Sequence, residues 1–176
     1  MTVLVITGMP GAGKEEFVGT ALSLGYQVVR MGDVVRAEAG RMGVALSDKG
    51  VGGFATEERQ KNGYDIWAKR ALAHVRLNDT VIDGCRGLME LAIFKKELKN
   101  VRLIAIHSAP SIRFPRLQAR KRYDAPQSWE EFQARDEREL SWGLGSLIAM
   151  ADIMIVNETS LQEFKSKCVQ CLRRLE

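Results

Sequence analysis

The chain opens MTVLVITGMPGAGKEEF, an apolar β-branched run that turns through glycines into the start of an amphipathic segment. Gly8 to Lys14 satisfies the phosphate-loop spacing Gly-x-x-x-x-Gly-Lys between an expected strand and an expected helix, the context that makes this short pattern specific. In such a loop the glycines let backbone N–H groups turn inward, and the helix N-terminus adds partial positive charge where phosphates sit. Gly8, Met9, Pro10, Gly11, Ala12, Gly13 and Lys14 are therefore the candidate nucleotide cradle, with Lys14 reaching the β- and γ-phosphates. The next position, where Ser or Thr normally helps to hold the metal, is Glu15. A carboxylate there can touch Mg2+ but is longer and negatively charged, so altered metal dependence is expected.

Further apolar runs at Gln27 to Arg30, Thr80 to Asp83, Arg102 to His107 and Ile153 to Val156 alternate with longer amphipathic stretches. This rhythm predicts βαβ units and a mostly parallel sheet covered by helices. The first helix is expected from about Lys14 to Leu24, with Phe17, Val18, Ala21 and Leu22 toward the sheet and Gly25 past its end. Ser128-Trp-Glu-Glu131 and Ser160-Leu-Gln-Glu163 read as capping boxes. Between Ala39 and Gly63 dense glycines suggest short helices joined by mobile turns, and ARKRYDAPQS reads as a loop between helices. Either segment is placed to move over a ligand.

At 176 residues and 45% hydrophobic content the chain suits one domain. Cys85, Cys168 and Cys171 do not make a disulfide framework, and Cys168-x-x-Cys171 has no second pair for zinc. Val3 to Ile6 is too short to span a membrane, so a cytoplasmic protein is expected. His74 and His107 lack ligand-like spacing, and the three tryptophans read as packing anchors. Net charge is +4, but Arg113, Arg116, Arg120, Lys121 and Arg122 crowd one stretch, and arginine forks suit phosphate. Asp83, ending an apolar strand, is the candidate metal-linked acid, with a turn-capping role as its alternative.

The ordered stretches GMPGAGK, MGDVVR, VIDGCR and RLQARKR resemble the signature of adenylate kinase and related nucleoside monophosphate kinases. DVVR, WEEFQARDERELSWG and DIMIVNE are similar to an archaeal adenylate-kinase-related group, sometimes labelled dephospho-CoA-kinase-like. That resemblance implies an α/β phosphate-loop NTPase of three layers, α/β/α, on a five-stranded sheet, with a single domain over 1–176. It also implies an acceptor-binding segment at about 34–75 and a short lid at about 113–138. It places Asp33, Arg36 and Arg86 on the acceptor, Arg86 one residue closer to Asp83 than the family pattern has it. Arg116, Arg120 and Arg122 resemble lid arginines, and Arg135 and Arg138 the pair that neutralises the transferring group; Arg116 and Arg120 also face ATP.

The implied activity is transfer of the ATP γ-phosphoryl group, with Mg2+ held by Glu15 and Asp83, to a nucleotide or nucleoside-like acceptor. Lys14, Asp33, Arg86, Arg120 and Arg135 would be catalytic, Asp33 as a base only for a hydroxyl acceptor. Two alternatives stand beside it: a nucleotide-gated binding protein or slow ATPase acting with RNA or a protein partner, and a dephospho-CoA kinase. The basic cluster permits RNA, but no aromatic sheet motif for RNA is present.

Overall fold

The computed structural model describes residues 1–76, 78–120 and 125–175. Its elements run β1 (Val3–Thr7), α1 (Lys14–Ser23), β2 (Gln27–Arg30), α2 (Met31–Arg41), α3 (Asp48–Asn62), α4 (Ile66–Leu72) and β3 (Thr80–Asp83). There follow α5 (Leu88–Glu97), β4 (Val101–His107), α6 (Pro110–Ala119), α7 (Trp129–Ser141), α8 (Leu144–Ala149), β5 (Ile153–Val156) and α9 (Leu161–Arg173). The five strands form one sheet in the order β2-β3-β1-β4-β5, and every pairing is parallel.

β1 lies at the centre and is buried along its whole length. Its side chains alternate between two cores, as a strand covered on both faces requires. Val3 and Val5 join Trp67, Phe94 and Leu147 on one side. Leu4 and Ile6 meet Phe17, Phe164 and Leu172 of α1 and α9 on the other. The register Ile6↔Asp83 sets the end of β3 beside the start of the phosphate loop, which is the feature that builds the site.

Two expectations need correction. Phe17, Val18 and Ala21 are buried, but Leu22 is 52% exposed. It falls at the edge of the helical stripe, in the last turn of α1. Between Ala39 and Gly63 the chain makes one fifteen-residue helix, α3, rather than several short ones. Gly50 sits inside its first turns because a β-carbon there would collide with the Ala45 carbonyl. Ser47 caps α3 through Gly50 N.

The cap expectations hold in substance. Ser160 and Glu163 make the reciprocal box at α9. Ser128 accepts from Glu131 N at α7, while the Glu131 carboxylate accepts from Gln127 N. α6 and α7 meet through Phe114, Trp129 and Phe132, with ring centroids 5.1 to 5.4 Å apart. Among the described residues no helix is long and apolar enough to cross a membrane.

Candidate active site over the phosphate loop

The loop from Gly8 to Gly13 links β1 to α1, with Gly8, Gly11 and Gly13 all at positive φ. Glycine is required there twice over: the backbone is left-handed, and a β-carbon would strike the Ile106 carbonyl at Gly8 or the Asn157 amide nitrogen at Gly13. The loop is held from outside by polar side chains. Asn157 donates from Nδ2 to Ala12 O at 2.8 Å, and the Ser108 hydroxyl donates to Asn157 O at 2.5 Å. Arg113, 3% exposed, donates to Pro10 O at 3.0 Å while its fork grips Asp136 on α7. Arg113 thus ties α6, α7 and the loop together.

Above the loop lies a cavity of about 180 Å³ lined by Lys14, Glu15, Asp83, Arg86, Arg120, Arg135 and Glu139. Lys14 Nζ donates back to Gly8 O at 2.6 Å and to Met9 O at 3.2 Å, so its ammonium rests on carbonyls of the loop it serves. Burial lowers its pKa, against the pull of Asp83 and Glu139 and with the push of Arg86 and Arg120. Arg86 donates from Nε to Glu139 at 2.8 Å and from NH1 to Gly84 O at 3.1 Å. The Glu139 carboxylate, with burial opposing, raises the Arg86 pKa. Burial also acts to raise Glu139, but Arg86, Lys14 and Arg135 outweigh it and hold this carboxyl below its ordinary value.

Asp83 Oδ1 is buried with no hydrogen-bond partner among the described residues. A carboxylate oxygen stranded beside a phosphate loop suits a hard, oxygen-seeking cation, and Mg2+ fits that description. Glu15 is engaged: Arg30 clasps it with NH1 to Oε2 at 2.9 Å and NH2 to Oε1 at 2.8 Å.

The remaining expected residues fall elsewhere. Asp33 and Arg36 pair with each other on the exposed face of α2. Asp33 lines a separate hollow with Arg30, Arg41 and His74. Arg116 is outside the cavity lining; its NH1 donates to Ser108 Oγ and Asn157 O, each at 3.1 Å, which braces the loop's support. Arg138 is likewise outside the lining, whereas Arg135 is in it. Lys121 and Arg122 lie outside the described residues. Trp142 is more than a packing anchor, since Arg86 and Arg59 both lie over its ring, at 5.4 and 5.2 Å.

Sequence reasoning gave no part in the site to Arg30, Ser108, Asp136, Glu139 or Asn157. The available signal was a polar residue directly after an apolar strand, present at Ser108 and Asn157. Arg30, Asp136 and Glu139 carried only ordinary charge patterning.

A family model described as an AAA domain matches residues 7–133. The UPF0200 protein Ta0179 of Thermoplasma acidophilum is 46% identical over 171 residues, covering 97% of this chain and 94% of its own. A shikimate kinase from Bacteroides thetaiotaomicron superposes with a TM-score of 0.66 at 16% identity, over 99% of this chain and 97% of that one. The dephospho-CoA kinase from Campylobacter jejuni gives 0.57 at 16% identity, with 99% and 97% covered. At those identities the solved structures establish the phosphate-loop kinase fold, and the sequence relatives establish the family. The chain belongs to the archaeal UPF0200 family, built on an AAA-type phosphate-loop kinase domain.

Proposed function

We propose that this protein is an ATP-dependent phosphotransferase that moves the γ-phosphoryl group to a nucleotide or nucleoside-like acceptor. One observation carries the reading: Lys14, Arg86, Arg120 and Arg135 converge on a single cavity over the phosphate loop, beside the stranded Asp83 carboxylate oxygen. Phosphoryl transfer asks a protein for positioning and for positive donors around a loosely bonded transferring group, and this cavity supplies both. Lys14 would exchange its loop carbonyls for β- and γ-phosphate oxygens. Arg120 and Arg135 would neutralise charge on the transferring group, and Arg86, steered by Glu139 and Trp142, would hold an acceptor oxygen. Arg36 would take the acceptor's own phosphate, and Asp33, which pairs with Arg36 outside the cavity, would have to leave that pair to act as base on a hydroxyl acceptor.

The donor set also supports Mg2+, with Asp83 and then Glu15 as the residues to hold it. Bound there, the ion would neutralise phosphate charge. The test is phosphoryl transfer from ATP to a panel of nucleoside monophosphates, nucleosides and dephospho-CoA, beside a control without acceptor. Transfer to a panel member supports the kinase. Hydrolysis indifferent to every acceptor would replace it with a nucleotide-gated binding protein or slow ATPase, and stimulation by RNA would identify such a protein's partner.

A further inference from the structure

Glu15 occupies the position where a hydroxyl would ordinarily help to hold the metal, and it is already held by a cation of the protein's own. The Arg30 guanidinium clasps both carboxylate oxygens in a fork-to-fork pair. Arg30 ends β2 in register with Asp83 at the end of β3, so two acids of the expected metal shell flank one arginine. Its pKa is raised, first by the bond to Glu15 and also by Asp83 and Asp33. The pair is open to water, with 31% of the Arg30 side chain and 44% of the Glu15 side chain exposed. It can therefore break and re-form without opening the core.

We propose that Glu15 and Arg30 are an exchangeable pair: Arg30 neutralises Glu15 in the nucleotide-free protein, and a divalent cation arriving with nucleotide displaces it. This rests on the reading that the phosphate loop takes a metal–nucleotide complex. The released guanidinium then stands in the hollow it shares with Asp33 and Arg41, at the start of the helix that carries Arg36. Metal loading on one side of the sheet end would thus present an additional phosphate donor on the acceptor side, giving the two substrates an order.

The experiment is a titration of the ADP complex with Mn2+, followed by the loss of the free-ion paramagnetic resonance signal. The proteins compared are the wild type, Arg30→Met, Glu15→Gln and the double variant. Removing the competing cation in Arg30→Met should tighten Mn2+ by about two- to fivefold, the scale of a half-exposed ion pair. Glu15→Gln should weaken Mn2+, and in that background Arg30→Met should change nothing further. Equal or weaker Mn2+ binding in Arg30→Met would overturn the exchange, as would a gain that persists in the double variant. Because the readout needs no turnover, it is independent of the acceptor panel. A chain that passes this titration yet transfers no phosphoryl group would refute the kinase and leave the exchange standing.

Discussion

At the scale of single residues, the proposed function rests first on Lys14. Lys14→Ala removes the one ammonium seated in the loop, and nucleotide affinity or turnover should fall by at least an order of magnitude, a loss of about 1.4 kcal/mol or more; fluorescence titration with a labelled ATP checks it. Unchanged affinity and turnover would remove the phosphate-loop assignment. Glu139 makes a pH prediction. Its folded pKa is depressed, so the stability it contributes is complete above the ordinary glutamate value of about 4.3 and is lost as the pH falls through the folded value. Urea unfolding at neutral pH and at about pH 3 should show a smaller acid loss for Glu139→Gln than for the wild type. The phosphate loop was legible in the sequence because its spacing is local. The partner of Glu15 was not, because Arg30 reaches it across a strand and a helix, and no pattern of neighbouring letters encodes that approach.

At the scale of elements, the five strands stood out because a parallel strand buried on both faces is a continuous β-branched run between glycines and polar residues. α3 was obscured, since glycines at 50, 52 and 53 argue for turns, while its helical state depends on what surrounds it. One anchor is Arg59, which reaches from α3 to Glu90 on α5 at 3.0 Å with both side chains buried. Glu90 also accepts from Arg86 N at 2.8 Å, so one carboxylate ties α3 to the chain entering the site. Glu90→Ala leaves a buried arginine uncompensated and should cost about 3–5 kcal/mol, read from the denaturant midpoint. Ser160→Ala, at the complete capping box of α9, should cost only about 1 kcal/mol. Similar costs for the two would mean that Arg59 finds another partner when Glu90 is gone.

At the scale of the whole molecule, the all-parallel order β2-β3-β1-β4-β5 brings the ends of β1 and β3 together, and α6 and α7 pack against each other through Phe114, Trp129 and Phe132. Ligands of open α/β sheets bind at the carboxyl ends of the strands, and the Lys14 cavity lies there. The thiols report on the integrity of this fold. Burial pushes Cys168 up to about 12 and Cys85 well above its usual value, so at pH 8 only the half-buried Cys171 should label in the native chain, and slowly. All three should label after unfolding. The general architecture and the phosphate loop were thus readable from local patterns, whereas the braces on the loop, Asn157 and Arg113, come from segments far along the chain. The most direct measurement is ATP γ-phosphoryl transfer by the wild type and Lys14→Ala across the acceptor panel. The expected result is a phosphorylated acceptor formed by the wild type and lost in the variant. Nucleotide binding without transfer to any acceptor, or transfer that survives in Lys14→Ala, would contradict the assignment.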